Sequence, residues 1–411
     1  MNSHLLLNVS ALLDEIASRL DLSPSKYKQA VERYTAVSSW IAEGQIEGIE
    51  EINFYPQGSF RFGTVIRPIR GGKDAEYDID LVCEAQIRKS DTTPQVIKQA
   101  IGHQIMENKK YLKMLDEEGR RCWTLLYAEE DGVGFHLDVL PAVPEEFSAT
   151  NPPARPEYKQ TAIAITHKNE DRTYKWCSSN PSGYAQWFSD TNKTAFEQVK
   201  STQQRSIFEN NQDIYARIEE VPDALIKTPL QRAIQILKRH RDVRFINHKF
   251  PFDKPISMII TTLAAQLYNG ENNVYAALSN IVDQLDALGG LLQPSYKQNI
   301  SLMQQDLISR NDDGTWSILN PVNPEENFAD RWHENDHRKA MLFFQWTQWV
   351  KKDLIQITGT NDIGKVVKSF ESTLGQISNT AAKSLGFATA PASIVVPTVQ
   401  LSNPNRPWGS L

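Results

Sequence analysis

Cysteine is scarce, with three residues (Cys83, Cys122 and Cys177) in a chain of 411. No two of them form a CxxC pair, which excludes a disulfide framework or a cysteine-built zinc site and predicts a reducing, cytoplasmic setting. Long apolar runs are also missing. The longest, Met258 to Tyr268, falls well short of the ~20 residues that a membrane-spanning helix needs, so no membrane partner is expected. The first residues lack the cationic stretch of a secretory signal. Instead Leu5, Leu6, Val9, Leu12, Leu13, Ile16 and Leu20 recur at helical spacing, interrupted by Asp14 and Glu15. Nor is positive charge in excess: 44 basic side chains against 50 acidic ones leave a net charge of −6. That excludes a surface that coats nucleic acid through a generally basic face, and no stable nucleic-acid partner is expected. It leaves room for a local basic pocket.

Forty per cent hydrophobic and 23% charged residues are ordinary globular usage, enough to bury a core in two or three domains. Residues 1–48 read as two helices packing on the core, the second over about 25–43. From about 52 to 143 the pattern turns to short strand-like runs, at 76–84, 121–128 and 133–140. The last two are joined by Glu129-Glu130-Asp131-Gly132, a hairpin turn. A proline-rich stretch, Pro141 to Pro156, closes this segment. Helical spacing then returns: Thr228 and Pro229 start one helix, and others are predicted at about 255–269, 271–289, 294–309 and 335–354. The last residues, with four prolines, read as an extended tail. The expected organisation is α+β: N-terminal helices at 1–48, a catalytic core at 49–226, a helical lobe at 227–385 and a tail at 386–411.

Asp78-Ile79-Asp80 carries the sharpest chemical signal. In a strand, residues two apart share a face, so both carboxylates project together while Tyr77, Ile79 and Leu81 face the other way. Adjacent carboxylates repel unless a cation sits between them, and a hard divalent ion such as Mg²⁺ suits them. Asp138, between Leu137 and Val139, is a third candidate ligand. The competing reading is three solvent-exposed or salt-bridged strand residues. Upstream, Gly58-Ser59 in FYPQGSFRFGT stands between an apolar run and a helical turn, where backbone amides and a hydroxyl can approach phosphate oxygens. A phosphate-holding turn beside a carboxylate cluster is what phosphoryl or nucleotidyl transfer requires. Between Lys227 and Lys254, eight basic side chains face only Asp242 and Asp253. This predicts either a solvated basic helix or a local anion site with Lys238 as the phosphate-facing charge.

Two further motifs point elsewhere. His333-Glu334-Asn335-Asp336-His337 satisfies the HExxH zinc pattern, yet its neighbours are polar, which favours a solvated helix start. Gly359 to Lys365 resembles a P-loop, but Val366 stands where Ser or Thr should be, so a helix cap is expected. Trp176, Tyr184, Trp187 and Phe188 could stack a nucleobase or pack the core. A base contact near Asn327 and Trp332 is a further possibility.

The set QGSFRFGTVIRP (57–68), YDIDLV (77–82), HLDVLPA (136–142), WCSSNPSGYAQWF (176–188), TPLQRAIQILKRHRD (228–242) and NPVNPEENFADRW (320–332) resembles the bacterial cGAS/DncV-like nucleotidyltransferases, the CD-NTases. The resemblance covers most of residues 50 to 335, in order, with an insertion containing Gly71-Gly72-Lys73. It implies a polymerase-β-like core with a helical C-terminal lobe and the active site between them. It also implies cyclic di- or trinucleotide synthesis in bacterial antiphage (CBASS) signalling. Gln57, Gly58 and Ser59 match the phosphate-holding turn. Asp78, Asp80 and Asp138 match the catalytic triad for two Mg²⁺ ions, with Mn²⁺ as a substitute. Lys238 and Ser257 match the triphosphate contacts, and Arg61 lies nearby with no assigned role. The implied partners are nucleoside triphosphates, ATP among them, and a downstream effector that responds to the product; the chain is expected to act as a monomer. Alternatives are transfer to RNA ends or a small molecule, or a catalytically idle nucleotide or RNA sensor.

Overall fold

The computed structural model of the chain describes residues 3–44, 46, 48–66, 69–70, 73–74, 77–130, 133–147, 153–293 and 307–387. Helices α1 (Ser3–Ser18) and α2 (Pro24–Ala42) follow the apolar spacing of the sequence. Ser23 caps α2 by accepting from the amide of Lys26, and Pro24 starts it without losing a hydrogen bond. The two helices part company in packing. Ala30, Val37 and Ile41 of α2 join the core beneath the sheet, whereas Val9, Leu12, Leu13 and Ile16 of α1 enter the core of the helical lobe. The expectation that residues 1–48 pack together on the strand-bearing core is corrected for α1.

Strand β1 (Ile52–Gln57) runs into the short helix α3 (Gly58–Arg61), followed by a small ladder of β2 (Ile69–Arg70) and β3 (Lys73–Asp74). Strand β4 (Tyr77–Ala85) pairs antiparallel with β1 and parallel with β6 (Val133–Pro144). The first part of β6 also pairs with β5 (Trp123–Glu130), making the expected hairpin with Leu125 opposite Leu137. Its last part pairs with β7 (Ile163–Lys168), and β8 (Tyr174–Ser179) closes the six-stranded sheet. Helix α4 (Pro94–Glu107), with the short α5 (Lys109–Leu112) after it, lies across β6, β7 and β8.

Strands β7 and β8 lie beyond the proline-rich stretch where the strand pattern of the sequence ends. Ile163, Ala164, Ile165 and Thr166 are all buried, so β7 shows no alternation to betray it. The strand β6 also continues through Pro141 to Pro144 before the sheet turns back.

The long α6 (Pro181–Glu209) leads to the helical lobe of α7 (Pro229–Phe245), α8 (Ser257–Leu267), α9 (Val274–Ala287), α10 (Glu334–Val350), α11 (Ile363–Leu374) and α12 (Ile377–Ser384). Thr228 and Gln231 form a reciprocal capping box on α7, with Pro229 in its first turn. The helix predicted at 294–309 lies mostly outside the described residues, and its end is strand instead. There β9 (Ser309–Arg310) pairs with β10 (Trp316–Ser317), and β11 (Leu319–Asn320) follows with β12 (Asn323–Asn327), which lies beside β8. Apart from Gly386 and Phe387, the predicted tail also lies outside the described residues. No helix among them is long and apolar enough to cross a membrane.

Candidate active site

The strand pattern of β4 turns Tyr77, Ile79 and Leu81 into the core and leaves Asp78 exposed and Asp80 half-buried on the opposite face. Parallel pairing then sets Asp138 beside Asp80, and His136 beside Asp78. On the other flank of β4, antiparallel pairing sets Gln57 opposite Asp80, and the chain turns into α3 at Gly58. Gly58 has φ +62°, and a Cβ on it would lie 2.4 Å from Asp80 Oδ2. Both the conformation and the close approach require glycine. Ser59 follows in the first turn, which no side chain caps; its carbonyl accepts from the Thr64 amide at 3.0 Å.

One face of α7 holds this turn from the other side. Gln231 Nε2 donates to the Phe62 carbonyl (2.7 Å) and Gln235 Nε2 to that of Val65 (3.0 Å). Lys238 Nζ donates to the Thr64 carbonyl (2.9 Å) and hydroxyl (3.3 Å). Positions 231, 235 and 238 share a helix face, so three consecutive contacts of α7 fix the loop that leaves the Gly58-Ser59 turn.

The electrostatics reflect crowding. Burial, then the charges of Asp138 and Asp78, push the Asp80 carboxyl up to about 7, with Lys238 opposing. Burial, reinforced by Arg241, lowers the Lys238 ammonium to about 7 against the pull of Asp242, Asp80 and Asp78. Asp138 Oδ1 accepts from the Thr124 hydroxyl at 2.5 Å, and Asp78 Oδ1 lies 3.6 Å from His136 Nδ1. Among the described residues no three metal-ligating side chains are drawn around one point, since each outer carboxylate leans toward a neighbour of its own. The donor set nonetheless fits a hard divalent cation. It comprises three carboxylates on one face of adjacent strands, the middle one pushed up first by burial and then by the repulsion of its neighbours, which a cation would relieve.

The structure does not gather the other sequence-derived candidates equally. Ser257 opens α8, and its hydroxyl accepts from Arg241 at 3.0 Å, while its neighbour Met258 lines the cleft between the lobes. The basic segment is not a phosphate patch. Arg232 pairs with Asp21, Arg244 with Asp353, and Arg241 and Lys254 with Asp242, while Arg239 donates to the Leu374 carbonyl and Lys227 to that of Ala224. Of these cations Lys238 is the one whose charge acts on Asp80. Arg61 donates to Ser182 at 3.1 Å and lies over the Tyr55 ring, tying α3 to α6. Tyr184 and Phe188 are core residues, Trp187 packs against them, and Trp176 packs against a small cluster on the sheet. Trp332 is buried, and Asn327 braces the turn through Ile318, Trp316 and Ala329.

A cleft of about 260 Å³ opens beside Gln57, Gly58 and Asp80. Its walls include three residues that the sequence did not single out as functional: Arg121, Glu326 and Asn320. Glu326 stands one position from Asn327, so the region was legible but the residue was not. A larger cavity of about 670 Å³ lies elsewhere, between α1 and α6, lined by Asp14, Glu15 and Asp21. Its acidic lining is unsuited to phosphate.

The decoy motifs resolve physically. Asn335, Asp336 and His337 have left-handed φ of 51°, 56° and 59°, so His333 and His337 do not share a helix face. The His337 nitrogens instead face Trp316 Nε1 (3.1 Å) and Arg310 Nη2 (3.3 Å). In the P-loop-like segment, Asp362 caps α11 by accepting from the amides of Gly364 and Lys365, which fills the positions a phosphate would take.

The profile of the Second Messenger Oligonucleotide or Dinucleotide Synthetase (SMODS) domain matches residues 7–192. A c-di-GMP synthase of Roseivirga ehrenbergii is 30% identical over 323 residues, spanning 78% of this chain and 72% of that protein. The chain belongs to the bacterial CD-NTases. It is a nucleotidyltransferase that makes cyclic oligonucleotides. The cyclic dinucleotide synthase CdnG of Bradyrhizobium diazoefficiens is 28% identical over 248 residues, 58% of this CD-NTase and 54% of that protein. Its GTP complex superposes with a TM-score of 0.66 at 22% identity, covering 92% and 99% of the two chains. The Escherichia coli MS115-1 CdnC structure with ATP gives a TM-score of 0.56 at 12% identity, over 89% and 97%. The polymerase-β-like α+β fold expected from the sequence is therefore shared with solved CD-NTases.

Proposed function

We propose that this CD-NTase joins two nucleoside triphosphates into a cyclic dinucleotide in a Mg²⁺-dependent reaction. In each step a ribose hydroxyl attacks an α-phosphate, forming a phosphodiester and expelling pyrophosphate. The reading rests above all on the register that sets Asp80 beside Asp138 and opposite the Gly58 turn. The names of the two curated relatives, both cyclic dinucleotide synthases, support the product class. All three carboxylates are present, which disfavours an idle sensor.

Asp78, Asp80 and Asp138 would hold the metal, which when bound neutralises triphosphate charge and eases ionisation of the attacking hydroxyl. The Ser59 hydroxyl and the first amides of α3 hold phosphate oxygens against the sheet edge. Lys238, midway along α7, would supply positive charge beside the phosphates from an amine held against Thr64. Asp138, fixed by Thr124, is oriented to take the hydroxyl proton. The product would serve as a cytoplasmic second messenger read by a separate effector in antiphage (CBASS) signalling, with the enzyme acting as a monomer.

The test is mass spectrometry of the products formed from all four nucleoside triphosphates with Mg²⁺ or Mn²⁺, with and without RNA. A cyclic dinucleotide and pyrophosphate are expected. A linear oligonucleotide, extended RNA or no turnover would overturn the reading.

A further inference from the structure

The cleft next to Gly58 and Asp80 contains a carboxylate that the chemistry above does not use. Glu326, in β12, is half-buried at its wall, and burial holds its carboxyl above the usual range while Asn320, Arg121 and Ser179 oppose that rise. Both hydrogen bonds that reach it arrive at Oε2, from Asn320 Nδ2 (2.8 Å) and Ser179 Oγ (3.3 Å). Among the described residues Oε1 accepts from no side chain or amide. The Asn320 amide and Ser179 hydroxyl thus hold the carboxylate in one orientation with one oxygen left over.

Arg121 faces the same cleft from the bend just before β5. It acts on Glu326 through its charge, yet the two form no ion pair within 4.0 Å among the described residues, and Arg121 has no other hydrogen bond or ion pair there. An arginine and a glutamate that share a cavity without closing on each other leave a fork of donors and an acceptor for something placed between them. Phe328 and Met258 supply apolar surface on the same walls, which suits the face of a flat ring.

A carboxylate in this position is unsuited to triphosphate, which it would repel. It suits a base edge. Guanine offers O6 and N7 as acceptors to an arginine fork, and N1–H with N2–H₂ as adjacent donors to a carboxylate. Adenine reverses the first element, presenting an amine to the arginine, and its N1 lone pair would face the carboxylate. Uracil has the N3–H donor but no counterpart of the 2-amino group.

We infer that Glu326, oriented by Asn320 and Ser179 and working with Arg121 across the cleft, selects guanine at the nucleotide site of this enzyme. The inference rests on the nucleotidyltransferase reading of the neighbouring carboxylates and adds the identity of the base. Glu326 and Arg121 are specificity-determining residues that touch the base and not the reacting phosphate.

The experiment measures binding of the unreactive α,β-methylene analogues of GTP, ITP and ATP to the full chain by isothermal titration calorimetry. ITP differs from GTP only in lacking the 2-amino group. The wild type is expected to bind the GTP analogue about tenfold or more tightly than either competitor. In Glu326→Leu, GTP and ITP should bind within about twofold of each other, and Arg121→Met should weaken GTP and ITP together. Equal wild-type affinity for GTP and ITP overturns the inference even if a variant fails to fold, as does retained preference in a folded Glu326→Leu. Turnover is read separately. Selective GTP binding without any cyclic product would overturn the proposed reaction and leave the base assignment standing. Cyclic product without discrimination would do the reverse.

Discussion

A methyl group at Gly58 would stand 2.4 Å from Asp80 Oδ2, so the Gly58-Ser59 turn and the central carboxylate are in direct steric contact. Gly58→Ala would also place a side chain at φ +62°, a strain of about 1 kcal/mol. The variant is expected to fold but to lose about 100-fold or more in rate of product formation, because displacing Asp80 misplaces a reacting group. Pyrophosphate release alongside a thermal melt checks both halves.

Asp78→Asn combined with Asp80→Asn is expected to abolish cyclic product, at least about 10³-fold, while leaving the fold intact. Circular dichroism should match the wild type. Full activity in the double variant would end the nucleotidyltransferase assignment.

Chelation should have the same effect reversibly. EDTA is expected to stop product formation, and added Mg²⁺ or Mn²⁺ to restore it. Activity persisting in metal-free protein would remove the role given to the three carboxylates.

Asp80 is raised to about 7 from an ordinary 3.8. A carboxyl whose folded value lies above its unfolded one costs stability when ionised. That cost is absent below about pH 4 and complete above about pH 7. In metal-free protein, Asp80→Asn should therefore raise stability at pH 8 by up to roughly 4 kcal/mol, read as a higher melting temperature, and change it little at pH 4. Equal melting shifts at both values would show that Asp80 is not the strained group.

His333→Ala is expected to leave both activity and stability essentially unchanged, within about 0.5 kcal/mol, since His333 is exposed and shares no metal site with His337. Elemental analysis of purified protein should show no stoichiometric zinc.

Much of the site was legible because it depends on short-range rules. The period of two in β4 fixed the common face of Asp78 and Asp80, and Gly58-Ser59 marked a strand-to-helix turn. What the sequence hid was long-range. The fully buried run of β7 lacks the alternation that identifies a half-exposed strand. The apolar stripe of α1 indicates a helix but not which lobe receives it. The charges of α7 looked available for phosphate because their partners Asp21 and Asp353 lie far away in the chain. Glu326 and Arg121 line one cleft although they lie in segments far apart in the chain.

The grip of Gln231, Gln235 and Lys238 on the loop from Phe62 to Val65 has a mechanical consequence. It rivets the helical lobe to the sheet at the Gly58 end of the cleft, like the spine of a book. The two lobes meet a second time where Ser179 of β8 donates to Glu326 of β12, so the cleft is stitched at both margins and its two walls are held at a set spacing.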